Sequence, residues 1–525
     1  MVRASERLEQ LQRSAAFELG RAEAEIFAAH LALLRDPQFA QRIEQRIGSG
    51  LENAEQAIEA TVEELVRTLA VADDEYLRQR IHDIRDLGRW LLRGLAESGE
   101  APLRGLPERS ILIAQELLPS DLLLVDRDNL IGIITEQGGE TGHAAILARS
   151  LGIPYVIGIA EVTSRIGDRS HVLLDGHTGE VWVSPQSSIR AVFARHKSNY
   201  EREGAVALAE ERLACVTLDG VGISLHANIG RVAEAADAVR HHLDGVGLFR
   251  TEYMFLDERE APTLERQRQI YLDVLTALGG RPLVIRTLDL GGDKRPLFLA
   301  PHFEANPKLG LRGLRFSLSE AADLFRTQLE AIIQASGHGD VRVLFPMVLG
   351  GHDLRRASAV LDEICRIGKY SRPPKIGAMV ETPASVFTIP EILDAVDFVS
   401  IGTNDLTQFM LAADRSALDL LADCSPLHPA VLRAVKEVVE RATAKNKPVT
   451  VCGEAAADPA TARVLVGLGV TNLSMAPVSA ARVRRALRQS RLSELEQLAQ
   501  AALEMEDPTQ IGQLVKHFQG DSGGA

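Results

Sequence analysis

After Leu218 the chain settles into a rhythm that few folds can use. Eight apolar, strand-like runs follow one another: GISLHAN, GVGLFR, PLVIRTLDL, VRVLFPMV, KIGAMVET, FVSIGTND, PVTVCGE and TNLSMAP. A stretch with helical spacing separates each from the next. Strands that alternate with helices form a parallel sheet, and eight such units in roughly 260 residues have the size and order of a (β/α)8 barrel.

Two other textures precede it. From Ala4 to about Leu95 charged residues are spaced between apolar ones with almost no strand-like alternation, and Leu77, Ile81, Ile84, Leu87 and Leu91 form a helical stripe. Breaks at Arg35-Asp36-Pro37, Gly48-Ser49-Gly50 and Val71-Ala72-Asp73-Asp74 divide this region into about four helices, an α-helical bundle that is either structural or a docking surface. Between Pro107 and Pro185 short β-branched runs take over, closed by HVLLDGHTGEVWVSP, a hairpin turning at Asp175-Gly176 and Gly179. Ser188 to Ala214 then reads as one polar helix, a stiff linker. The fold class is multidomain: helical bundle (1–100), α/β domain (101–186), linker helix (187–216), barrel (217–515) and a disordered tail (516–525).

In such barrels the active site is built where strands end, so the polar residue closing each apolar run is the one to read. Arg250, with Thr251 and Glu252, closes the second run. Arg286, with Asp289 and Lys294 behind it, closes the third. Glu381, the pair Asn404 and Asp405, and the group Cys452 to Glu454 close later ones, while Arg312 and Arg415 lie in loops. Guanidinium groups converging on one mouth suit a small ligand bearing both carboxylate and phosphate, since the planar fork matches each bidentately. Glu381 and Asp405 close consecutive strands about 4.8 Å apart, within reach of one hard cation, for which magnesium is expected. Taken alone, that pair is equally an ordinary ion pair, and Cys452 alone is a buried small hydrophobe.

The formal net charge of -14 works against nucleic-acid binding, which depends on basic residues. No apolar run is long enough for a membrane span, and the first residues lack the apolar block of a secretion signal, so the expected location is the cytoplasm, without membrane insertion. Four scattered cysteines, Cys215, Cys365, Cys424 and Cys452, fit a reducing compartment.

One histidine stands apart. In GGETGHAAILARS, Gly138 and Gly139 permit a tight turn, and His143 falls at the first turn of an apolar helix. Free amides there favour negative charge, so a phosphorylated imidazole would be stabilised, although a capping or structural histidine would read the same way.

The motifs GGETGHAAILARSLGIPYVIG, GVGLFRTEYMFLDERE, IRTLDLGGDK, NPKLGLRGLR, VETPAS, SIGTNDLTQFMLAADR and VCGEAA, in this order over nearly the whole chain, resemble enzyme I of the phosphoenolpyruvate:sugar phosphotransferase system. The resemblance implies that Arg250, Arg286, Asn404, Asp405 and Arg415, assisted by Arg312 and Lys294, hold phosphoenolpyruvate beside magnesium on Glu381 and Asp405. His143 would take the phosphoryl group, and Cys452 would protonate the enolate to give pyruvate. Phosphorylated His143, in an α/β domain that swivels, would then serve the histidine phosphocarrier protein docked on the helical bundle. The resemblance also implies a homodimer formed through the barrel.

Two departures matter. Gly142 stands where the family commonly has serine. The chain also opens in helix where the family opens in a strand, so the expectation is a truncated start or a sheet lacking its first strand, with an exposed edge. Pyruvate phosphate dikinase and phosphoenolpyruvate synthase share both modules but add a nucleotide-binding domain for which no segment is evident. A nitrogen-regulatory paralogue, a non-catalytic regulatory paralogue and a metal-dependent lyase remain as alternatives.

Overall fold

A computed structural model describes without interruption residues 37–50, 52–70, 106–117, 129–138, 143–256, 260–290, 306–370, 373–414 and 424–521, together with isolated positions between them and before residue 37. The chain separates into two compact units, Met1–Lys197 and Ser198–Ala525.

In the first unit, helices α1 (Pro37–Gly50) and α2 (Ala54–Ala70) present amphipathic faces to a shared core. Pro37 opens α1, where a missing amide proton costs nothing, and Gly50 ends it. Phe39, Ile43, Ala57 and Ile58 pack there with Leu31, Leu34, Leu87 and Leu91. Ile84 is also buried, whereas Leu77, Ile81 and the break at Val71 to Asp74 lie outside the described residues.

Three parallel strands follow, β1 (Ser110–Ala114), β2 (Leu130–Thr135) and β3 (Tyr155–Ile157), in the order β1-β2-β3. Helix α3 (His143–Ser150) makes the crossover from β2 to β3. It buries Leu147 and Ala148 against Leu117, Leu122, Val125, Leu130 and Ile133. The anticipated hairpin is β4 (Val172–Leu174) with β5 (Val181–Val183). Asp175 Oδ1 accepts from the amides of His177 and Thr178 at 2.8 and 3.1 Å, and Gly179 takes φ 74°, the left-handed conformation that glycine adopts without strain. Helix α4 (Ser187–Ala209) comes next, and the boundary between the units falls within it.

The second unit is the closed barrel. Its strands are β6 (Ser224–Ile229), β7 (Val246–Arg250), β8 (Leu283–Arg286), β9 (Val341–Phe345), β10 (Lys375–Val380), β11 (Phe398–Ile401), β12 (Val449–Val451) and β13 (Asn472–Met475). All pair in parallel, and β13 pairs with β6 to close the ring. Each of the eight runs read from the sequence coincides with one strand, the first strand extending one residue past its run to Ile229. Helices cover the outside, among them α5 (Val232–Arg240), α6 (Leu264–Leu278), α7 (Ala322–Ser336), α8 (Gly351–Gly368), α9 (Thr403–Leu411) and α10 (Pro429–Ala444).

Strand alternation divides the barrel's core in two. Leu283, Ile285, Val343, Phe345, Ala378, Val380, Val399 and Ile401 face outward into a large cluster with helix residues such as Val274, Leu329 and Leu361. Leu248, Val284, Leu344, Met379, Phe398 and Cys452 form a separate cluster inside the ring. Burying such a side chain contributes ~1.5–3 kcal/mol, which makes the inner layer a firm floor for whatever stands above it.

After β13 come α11 (Ala480–Arg488), α12 (Leu492–Glu504) and α13 (Pro508–Asp521). The last enters the stretch expected to be a disordered tail. Ile511 and Val515 are buried and Phe518 lies on the barrel core with the Arg463 guanidinium 5.6 Å from its ring, so helical spacing of apolar residues carries order to Asp521. Among the described residues no helix is long and apolar enough to cross a membrane.

Candidate active site

The inner cluster predicts where the chemistry stands. Two residues beyond Leu248 on β7 is Arg250, two beyond Val284 on β8 is Arg286, and two beyond Met379 on β10 is Glu381. A strand repeats its facing every second residue, so each of these polar groups continues the inward column of an apolar one, at the carboxyl end of the ring. Arg250 and Arg286 are register partners between β7 and β8.

Two of the guanidinium groups are held by carboxylates of the chain itself. Arg286 donates from Nη2 to Glu252 Oε1 at 3.0 Å, and its Nη1 lies 3.6 Å from Asp289 Oδ2. Arg312 grips Asp289 with two bonds, Nε to Oδ1 at 3.2 Å and Nη2 to Oδ2 at 2.8 Å, and reaches Asp405 Oδ2 at 3.5 Å. Arg286 Nε is buried with no hydrogen-bond partner among the described residues. Burial works to lower both arginines, but Glu252 and Asp289 beside Arg286, and Asp289 and Asp405 beside Arg312, outweigh it and hold them charged.

Glu381 is 1% exposed, and its Oε1 accepts from the Met347 amide at 2.6 Å. Burial raises its carboxyl well above the ordinary range, Asp405 and Asp289 raise it further, and Arg286 and Arg312 offset part of this. Among the described residues, Glu252, Asp289, Glu381 and Asp405 thus share a site with Arg250, Arg286 and Arg312. Hard carboxylate oxygens of this kind fit a divalent cation such as magnesium, which keeps much of its shell as water or substrate oxygen. Among the described residues no group of three or more His, Cys, Asp and Glu is arranged to hold a metal ion.

Cys452 follows β12 and lies 2% exposed in the inner cluster. Ser400 Oγ donates to its Sγ at 3.2 Å, and Sγ faces the Ile401 carbonyl at 3.5 Å. Asn228 Nδ2 donates to its carbonyl at 2.9 Å. Asn404 Oδ1 accepts from the Glu454 amide at 3.0 Å, tying the ends of β11 and β12 together.

Comparison with known proteins identifies the arrangement. The profile of the PEP-utilising enzyme, PEP-binding domain, matches residues 206–492; the mobile domain of the same enzymes matches 106–179 and their N-terminal domain 1–80. The phosphoenolpyruvate-protein phosphotransferase of Haemophilus influenzae is 34% identical over 98% of this chain and 90% of its own length. The chain belongs to the phosphoenolpyruvate-protein phosphotransferase family. The phosphoenolpyruvate-protein phosphotransferase of Haloferax volcanii is 36% identical over 95% of this chain and 87% of its own length. The multiphosphoryl transfer protein of Rhodobacter capsulatus is 40% identical over 92% of this chain, a region that makes up 58% of that protein.

As a phosphoenolpyruvate-protein phosphotransferase the chain is an enzyme that moves a phosphoryl group from phosphoenolpyruvate to protein in the phosphotransferase system. Of the residues read from the sequence, Arg250, Arg286, Arg312, Glu381, Asn404, Asp405 and Cys452 all belong to the carboxyl-end side of the barrel. Lys294 and Arg415 lie outside the described residues, and His143 is described only as the first residue of α3. Glu252 and Asp289 were visible as strand-end residues but not as the groups that hold the arginines. Ser400 and Asn228 gave no signal, because a polar residue inside an apolar run looks like noise until its partner is known.

Proposed function

We propose that the phosphotransferase passes the phosphoryl group of phosphoenolpyruvate to His143 and from there to a histidine phosphocarrier protein, releasing pyruvate. Arg250, Arg286, Lys294, Arg312, Asn404 and Arg415 bind the substrate's carboxylate and phosphate at the barrel mouth. Glu381 and Asp405 are the residues that would hold magnesium. When bound, such an ion draws negative charge from the phosphoryl and enolate oxygens. Arg286 and Arg312, fixed by Glu252, Asp289 and Asp405, meet the developing charge without having to reorganise, which is the main contribution a protein makes to this chemistry. Cys452 gives its thiol proton to the methylene carbon of the enolate.

What supports this reading is the inward column of Arg250, Arg286 and Glu381 standing on the same apolar layer that contains Cys452. For His143 the support is its place at the start of α3, where unpaired amides favour a phosphoryl group. From family membership we carry over the division into helical bundle, swivelling histidine domain, linker and barrel, docking of the phosphocarrier on the bundle, homodimerisation through the barrel, and a cytoplasmic, sugar-transport setting.

Incubation with labelled phosphoenolpyruvate and magnesium, without nucleotide, tests it. Mass spectrometry is expected to find the phosphoryl group on residue 143 of the parent and none in His143→Ala. Label on another residue, or a nucleotide requirement, overturns the reading.

A further inference from the structure

The inner face of β11 carries an anomaly. Its inward residues are Phe398, part of the apolar cluster, and then Ser400, which is 1% exposed. Ser400 stands in register with Met379 on β10 and Thr450 on β12. A buried hydroxyl needs a partner, and among the described residues the Ser400 hydroxyl bonds to Cys452 Sγ at 3.2 Å, across 52 residues of sequence. An alanine would take the same inward position beside Met379 without leaving a polar group to satisfy. Packing therefore does not explain the serine, whereas the thiol does.

We propose that Ser400 is a positioning residue for the proton-transfer half of the reaction, fixing Cys452 Sγ toward the substrate's methylene carbon and donating its hydroxyl to the sulfur when the proton has left. The inference rests on the reading of Cys452 as proton donor. Once the phosphorus–oxygen bond has broken, the electron pair stays on the enolate. The C3–H bond then forms as the S–H bond breaks, the enolate oxygen becomes the ketone of pyruvate, and sulfur keeps the electron pair as thiolate. Solvent water later returns the proton.

Three contacts hold the thiol for this step. Ser400 reaches the sulfur from β11, the Ile401 carbonyl lies 3.5 Å from it, and Asn228 from β6 binds the Cys452 carbonyl. Asn228 is itself fixed, accepting from Ser474 Oγ at 2.7 Å and donating to the Ser474 carbonyl at 3.2 Å. Burial raises the thiol, and the Ser400 bond is the largest influence acting the other way. Among the described residues the charged groups acting on it are Glu381 beyond β10, which raises it further, and Arg286 and Arg250 from β8 and β7, which lower it.

The reverse proton transfer isolates this step. Dephosphorylated enzyme with magnesium and pyruvate in heavy water exchanges the methyl hydrogens when the thiolate removes one, and proton NMR follows the loss across a pH series. Ser400→Ala is expected to slow exchange about tenfold and to move its profile up by about one pH unit, because a hydrogen bond to a charged group is lost. Affinity for pyruvate and melting temperature should stay near the parent's, and Ser400→Thr should restore the rate. If the alanine variant melts early, Ser400→Cys keeps the volume with a weaker donor and should show a smaller shift in the same direction. A parental rate and profile in the folded variants overturns the role of Ser400. Exchange that persists in Cys452→Ala instead overturns the reading of Cys452, so the two failures are distinct.

Discussion

Glu252 Oε1 accepts from Arg286 Nη2 and from the Asp289 amide, each at 3.0 Å, so one buried carboxylate fixes both a guanidinium at the barrel mouth and the turn beyond it. Glu252 is 4% exposed and Arg286 8%, which makes this an ion pair out of reach of solvent screening. Removing one partner of such a pair strands the other's charge and costs ~3–5 kcal/mol. Glu252→Leu should therefore lower stability by about that amount in urea unfolding and raise KM for phosphoenolpyruvate.

Gln328 on α7 is fully buried behind the same turn. Its Oε1 accepts from the Leu288 amide at 3.0 Å, and its Nε2 donates to Thr251 Oγ1 at 3.0 Å, whose hydroxyl in turn donates to the Arg286 carbonyl at 2.8 Å. Gln328→Leu leaves these groups unsatisfied, at ~1–3 kcal/mol for each. The expected outcome is a lower melting temperature and an increased KM, with Gln328→Glu intermediate because it keeps the acceptor.

Gly453 touches Thr403 so closely that a Cβ built there would lie 1.7 Å from Thr403 Oγ1 and 2.9 Å from its backbone nitrogen. The side chain could rotate away, but the backbone cannot, so Gly453→Ala must push the ends of β11 and β12 apart. Overpacking of this kind costs ~1–3 kcal/mol. Because Cys452 and Asn404 sit at these ends, pyruvate formation should fall further than stability does, as a steady-state assay beside a thermal melt will show.

Arg484 on α11 is 3% exposed and donates to the carbonyls of Glu211, His241 and His242, the last at 2.8 Å. It anchors the segment following α4, alongside Arg485, which pairs with Glu210 at 3.0 Å. Arg484→Met should free that segment, at a loss of ~2 kcal/mol or more. Amide hydrogen exchange at residues 210–214 should quicken while exchange in β9 to β11 stays slow.

Asp219 holds the start of α12, accepting from the amides of Leu492 and Ser493 and from Thr217 Oγ1. The backbone bond from Leu492, followed by the Thr217 hydroxyl, keeps its carboxyl down at about 2. A folded value below the ordinary one near ~4 means that the contribution is complete above that ordinary value and fades as pH falls toward 2. Asp219→Asn should therefore destabilise the protein at neutral pH, and the gap to the parent in urea unfolding should narrow below about pH 4.

The barrel was legible because local pattern carries its information. Apolar runs such as KIGAMV and VRVLF need only their own composition to declare strands, and the polar residue ending each run marks the mouth. The helix reaching Asp521 was missed because glycines near the end outweighed the spacing of Ile511, Val515 and Phe518, a pattern with meaning only where a core waits to receive it.

By itself the sequence determined which residues reach the barrel mouth, since a period of two along each strand puts Arg250, Arg286 and Glu381 on the inward face wherever the strands lie. Only the tertiary structure decided how they are held. Asn228 meets Cys452 across 224 residues, Arg312 meets Asp405 across 93, and Glu252 meets Arg286 across 34. Hydrogen bonds and charge pairs act over a few ångströms of space, and no local pattern states which distant segments ring closure will bring that near.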